Sequence, residues 1–168
     1  MRSLRNLKKC VLEIAQILAQ DDILCRLLVN DSDNALDEVV TGIDLNDLID
    51  DNYICMFPPV ENRIEDYGRN TFITILLDEI SFLSDGQNNL GTIIIYTSTN
   101  ADHLLLANNK NRLLEMNDRV AQLLDGKKLS SAGTLRLQTM LHTMLSEFHA
   151  GYRIRLTIVD QESGKAEI

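Results

Sequence analysis

Asp66, Asp78 and Glu79 are the grouping of side chains in this chain whose types best suit catalysis. Adjacent carboxylates on a strand, with a third acid upstream, are what a two-metal nuclease uses to hold divalent cations against a phosphodiester. Such a site usually needs a lysine on the following strand, and Thr92-Ile-Ile-Ile-Tyr-Thr97 supplies none. A small metal-dependent nuclease is therefore the secondary reading. His103, His142 and His149 do not stand at ligand spacing to one another or to a cysteine. His142, beside Met140 and Met144, reads as an ordinary surface or core histidine. Asp31-x-Asp33 opens like a calcium loop, but the sixth and twelfth places hold Leu36 and Gly42 where that loop needs Gly and Glu. GxGxxG, P-loop and GxSxG patterns are absent from the sequence. The expectation is a protein with no catalytic, cofactor-binding or metal residues, and no cofactor.

Composition narrows the classes further. The net charge is −9, with 25 acidic against 16 basic residues, so phosphate neutralisation along a nucleic acid is excluded as the main activity. Aromatic residues are 5% of the chain, too few for a base-stacking platform. Apolar residues at 45% supply an aliphatic core of Leu and Ile. Cys10, Cys25 and Cys55 are odd in number and form no CxxC, which suits buried free thiols in a reducing compartment. The basic start, Met1–Cys10, runs into Glu13, Gln16 and Gln20 and so forms no secretory apolar core. No apolar run is long enough to span a bilayer. A chain not secreted by that route, with no membrane partner, is the expectation.

The elements that must position any functional surface follow from periodicity. Residues 3–20 carry Leu4, Leu7, Val11, Ile14, Ala15 and Leu18 at helical spacing. Asp21 or Asp22 caps a second short helix with Ile23, Leu24, Leu27 and Leu28. Residues 31–51 hold Asp31, Asp33, Asp37, Glu38, Asp44, Asp47, Asp50 and Asp51 and no Lys or Arg. This reads as a solvated connection with short helical turns, docked by Ile43, Leu45, Leu48 and Ile49. Tyr53–Phe57 is a short strand stopped by Pro58-Pro59. Thr71–Leu77 and Thr92–Thr97 are β-branched strands expected to pair antiparallel, with a turn at Asp85-Gly86 and Asn88-Asn89. Loops are expected at 58–69 and 98–108. Asn108–Asp125 returns to helical spacing and stops at Gly126. Leu135–Leu145 and Tyr152–Val159 alternate with a period of two and form a hairpin through Ser146–Gly151. No βαβ order is apparent, so a Rossmann-like site is not expected.

The predicted fold is one α+β domain, a mainly antiparallel β-sheet flanked by helices. Its parts are an N-terminal helical block at 3–29, the acidic connection at 31–51, sheet and helix at 52–160, and a polar tail at 161–168. In the closing hairpin, Tyr152, Ile154, Leu156 and Ile158 fall on the core face. Arg136, Arg153 and Arg155 fall on the other. Arginine is enriched at protein interfaces and lysine depleted, so these three are the candidate subunit interface.

Several stretches together resemble the neck and tail-terminator (tail-completion) proteins of tailed bacteriophages. They are Cys25-Arg-Leu-Leu-Val-Asn-Asp31 with Asn34-Ala-Leu36, the strand ending in Phe57-Pro58, and Thr71–Leu77. The helix opening Asn111-Arg-Leu-Leu and ending Leu-Asp-Gly126, and Gly151-Tyr-Arg-Ile-Arg-Leu156, complete the set. The resemblance spans about residues 5–160; the segment after Pro59 is richer in acidic and polar residues than that layout. It implies a structural virion protein, assembled in the host cytoplasm, that forms a homo-oligomeric ring, commonly a hexamer. The ring would end the tail tube and join it to the head connector, with double-stranded DNA passing through the lumen. Head-closure and head–tail connector proteins share the layout, and a cytoplasmic adaptor is a further alternative.

Overall fold

The computed structural model describes residues 4–56, 69–81, 90–130 and 132–159. Their elements are α1 (Leu4–Ala19), α2 (Asp22–Val29), α3 (Leu45–Asp50), β1 (Ile54–Cys55), β2 (Thr71–Ser81), β3 (Leu90–Asn100), α4 (Arg112–Leu124), β4 (Thr134–Met144) and β5 (His149–Val159). Helix starts follow their caps. Asp21 accepts from the Leu24 amide at 2.9 Å and opens α2. Asp44 accepts from the amides of Asn46 and Asp47, while the Asp47 carboxylate accepts from the Asp44 amide at 2.9 Å. That reciprocal box lets a six-residue helix, too short to persist alone, stand inside the acidic connection. Leu48 is its buried anchor.

The expected helix over Asn108–Asp125 begins later, at Arg112. Asn111 takes the capping role, accepting from the Leu114 amide at 3.1 Å. Ala107–Asn109 forms a separate 3-10 turn, with Asn109 at φ 59°. Gly126, at φ 75°, ends the helix where only glycine is unstrained. The loop expected at 98–108 is mostly ordered otherwise: Ser98–Asn100 extend β3, and Ala101–His103 make a 3-10 turn. The polar loop to residue 68, the Asp85-Gly86 turn and the tail at 161–168 lie outside the described residues.

The sheet has the order β1-β2-β3-β5-β4 and one parallel pair, β1 with β2. All other pairs are antiparallel. The protein is thus a single α+β domain with a mostly antiparallel sheet. β5 inserts between β3 and β4, so β3 and β4 run parallel with α4 between them in sequence. This is a split β-α-β unit, which corrects the expectation of none. It went unseen because β4 pairs with the strand that follows it and never with β3. The link from β3 to α4 (101–111) contains no glycine, so no phosphate-cradling turn forms there.

One apolar cluster joins helices and sheet. Ile14 and Leu18 of α1, Leu24 and Leu28 of α2, Leu48 of α3, and Met116, Val120 and Leu124 of α4 enter it from one side. Ile73, Ile75, Ile93, Ile95, Ile154, Leu156 and Ile158 meet them from the sheet. These strand residues share one face by the register. Phe72, Ile94 and Cys55, on the alternate face, are buried too but stand apart from that cluster. Every described helix therefore packs on the same face of the sheet.

The closing hairpin is longer than its sequence pattern. β5 begins at His149, and its link to β4 is Leu145–Phe148 rather than Ser146–Gly151. Ala150 and Gly151 already pair with Thr99 and Ser98 of β3. A Cβ on Gly151 would lie 2.3 Å from the Thr97 carbonyl oxygen, so close strand approach demands glycine here. β4 does not alternate throughout. A bulge between Leu137 and Thr139 inserts Gln138, so Leu135 and Leu137 share a face with Met140, His142 and Met144.

Candidate functional site

Arg136, Arg153 and Arg155 are brought onto one face of the sheet. Arg153 pairs with Leu141 on β4 and Tyr96 on β3, Arg155 with Thr139 and Ile94. Arg136 lies opposite Thr157, one step along the same face from Arg155. In an antiparallel pair, same-face residues two apart sit about 7 Å from each other, within reach of a single acidic partner segment. Arg136 is exposed and the other two are half-buried. The Arg153 Nε is buried without a hydrogen-bond partner. No described helix packs on this face, which the apolar cluster leaves to the other side.

The acidic connection presents the opposite sign. All eight of its carboxylates are on exposed residues, while Ala35 and Leu48 anchor it. Its ends are tied down. Asn70 Nδ2 donates to Asp31 at 2.7 Å, and Arg69 Nε donates to the Asp51 carbonyl at 2.7 Å. Arg69 also lies 4.5 Å over the Tyr53 ring. The segment is thus a fixed acidic surface within a protein of net charge −9.

Arg112 was invisible to sequence reasoning, where an arginine opening a helix reads as a solvated charge. It is fully buried. Its guanidinium donates to four main-chain carbonyls: His103 (2.9 Å), Leu27 (2.6 Å), Asn30 (2.7 Å) and Ser32 (2.8 Å). Burial lowers its pKa, opposed by Asp31 and Asp33. It binds the end of α2 and the start of the acidic connection to the approach of α4. Asp21 plays a similar double part. It caps α2 and receives Arg119 at 2.5–3.0 Å. Burial opposes its ionisation, but the hydrogen bonds from Arg119 and Leu24 and the guanidinium charge outweigh that and hold its carboxyl below the usual value.

The acidic trio weighed for chemistry lies only partly within the described residues. Asp78 is exposed on β2, while Asp66 and the side chain of Glu79 lie outside the described residues. Among the described residues no group of three or more His, Cys, Asp or Glu is placed to hold a metal ion. His142 stands edge-on to Tyr152 with ring centroids 5.5 Å apart, and His149 lies 5.9 Å from the Phe72 ring. His103 Nδ1 is 2.9 Å from the Asp31 carbonyl oxygen. Burial pushes the Cys10 thiol up to about 12 and those of Cys25 and Cys55 to about 11, so all three are unreactive free thiols. No helix among the described residues is long and apolar enough to cross a membrane.

Fold and surface together define an α+β domain with a helix-covered sheet, a row of arginines on the alternate face and a fixed acidic connection. The chain belongs to the YomW family, whose model matches residues 21–158, from the cap of α2 to the penultimate residue of β5. Comparison with curated proteins gives no match.

Proposed function

We propose that this protein is a structural component of the neck of a tailed-phage virion. It forms a homo-oligomeric ring, a hexamer on the resemblance, that ends the tail tube and joins it to the head connector. It acts as a scaffold and catalyses nothing. The observation that carries the reading is the division of the sheet. One face takes every described helix, and the other carries Arg136, Arg153 and Arg155 in a row. Heterologous contacts of this kind close into rings when the rotation between subunits permits. The exposed acidic connection at 31–51 supplies a surface of opposite sign for the next subunit. Net negative charge suits a lumen along which DNA must slide without sticking. The phage derivation of the YomW family supports the same setting.

The test is assembly. Purified protein, alone and mixed with tail tubes of the phage that encodes it, is followed by light scattering and negative-stain electron microscopy. Rings in solution or caps on tube ends are expected. A strict monomer that neither caps tubes nor enters virions overturns the proposal.

A further inference from the structure

β4 is the outermost strand of the sheet, and its free edge is treated in two different ways along its length. The first half is closed. The Leu135 amide donates to the Lys127 carbonyl and its carbonyl accepts from Gly126, both at 2.9 Å. The Leu137 amide donates to the Asp125 carboxylate at 2.9 Å. After the bulge the closure stops. Leu135 and Leu137 point their backbone groups away from β5, and the inserted Gln138 moves that role to Met140, His142 and Met144. Among the described residues nothing pairs with these three outward amides. Apolar surface gathers around them. Leu141 is 57% exposed, Met144 60%, Phe148 53%, and Leu114 on the neighbouring helix 54%.

A groove of about 340 Å³ runs between this edge and α4, lined by Leu114, Glu115, Asn117, Asp118, Ala121 and Met140. Asn117 is 98% buried by its 2% exposure, and its Nδ2 has no hydrogen-bond partner, while its Oδ1 accepts from Thr97 at 2.6 Å. An open strand edge beside an apolar groove is what strand addition requires, and Asn117 adds a buried donor without a partner at that groove. The rim decides the occupant. Glu115, which also pairs with Lys110 at 3.4 Å, and Asp118 make it acidic; β4 itself carries no acidic residue, but pairing two β4 edges would set the Glu115 and Asp118 of both copies along one groove, like charge against like.

We propose that the 139–144 edge of β4 receives an extended segment of a different protein, which adds as a sixth strand. That segment has apolar residues at alternate positions toward Leu114, Ala121 and Met140, and basic residues toward Glu115 and Asp118. The groove lies on the helix-covered face, and only Thr139 and Leu141 of this edge stand opposite arginines of the other face, so loss of the ring on changing the arginines and loss of strand addition on changing His142 can be read apart.

The probe is a fluorescent, end-blocked heptapeptide of sequence lysine-threonine-valine-threonine-valine-threonine-lysine, which places both lysines on the valine face, with a twin carrying glutamate for both lysines. Binding to the full chain is read by anisotropy, and amide exchange by NMR. The lysine peptide is expected to bind more tightly and to slow exchange at Met140, His142 and Met144. His142→Pro removes an outward amide without touching the ladder to β5, a placement edge strands tolerate. It should weaken binding about ten-fold or more, while His142→Thr, which keeps the amide, should not. Glu115→Lys with Asp118→Lys should reverse the preference between the twins. Equal binding of the twins, or a His142→Pro protein that folds and binds unchanged, overturns the proposal. So does self-association of the free protein that His142→Pro abolishes, since the occupant would then be a second copy.

Discussion

Arg112 shows how much a single side chain can organise. Its four carbonyl partners come from two stretches far apart in sequence, residues 27–32 and His103, and each is a helix-end or loop carbonyl with few other means of satisfaction. Arg112→Ala would leave those acceptors buried and should lower stability by about 3–5 kcal/mol, seen as a fall in the urea midpoint. Arg112→Lys should recover only part, because an ammonium cannot fork across separated carbonyls. Asp21 carries a different signature. Its folded carboxyl titrates below the ordinary 3.8, so its contribution is full above that pH and fades as pH falls through the lower folded value. Asp21→Asn should therefore be less stable than wild type at pH 7, and the gap should narrow as pH drops below about 4. Parallel urea titrations at several pH values measure that gap; a gap that widens in acid would contradict the assignment.

At the scale of elements, Gly151 is the tightest joint. The β3–β5 ladder brings the Thr97 carbonyl to within 2.3 Å of where a Cβ would sit, and a backbone atom cannot swing aside. Gly151→Ala should destabilise by about 1–3 kcal/mol and loosen amide protection at Ser98 and Thr99, which hydrogen exchange would resolve. Elements of this kind divide by how local their cause is. The two faces of β5 were legible, because Tyr152 to Val159 alternates without a break and period fixes face. α2 and the stop at Gly126 were legible for the same reason, since caps act within one turn. The bulge at Gln138 was not, because one inserted polar residue leaves the composition of β4 unchanged while reversing every side chain beyond it. The split β-α-β unit was not, because strand order depends on long-range pairing. Arg112 was not, because its partners lie up to 85 residues away. The arginine row was legible as a face; what it faces depends on where the helices pack, and that is set by the whole sheet.

For the whole molecule, the proposed assembly would set two electrostatic effects of different range against each other. Each subunit carries −9, so copies gathered into a ring repel one another over distances set by the screening length. The proposed contact between the arginine row of one copy and the acidic connection of the next would act over a few ångströms. At about 0.01 M salt the screening length is about 30 Å and the long-range repulsion dominates. At about 0.15 M it shrinks to about 8 Å, which removes most of the repulsion and leaves short-range pairs largely intact. Near 1 M it is about 3 Å and the pairs weaken as well. Ring formation in sedimentation velocity should therefore pass through a maximum near physiological salt. Arg136→Glu with Arg153→Glu and Arg155→Glu adds like charge to the contact and makes each subunit more negative. That variant should stay folded by circular dichroism, lose the ring near 0.15 M, and regain little at any salt, since screening removes repulsion without supplying the missing pairs. Assembly that rises steadily with salt in both proteins would mean that apolar burial alone closes the ring and that the arginine face lies elsewhere.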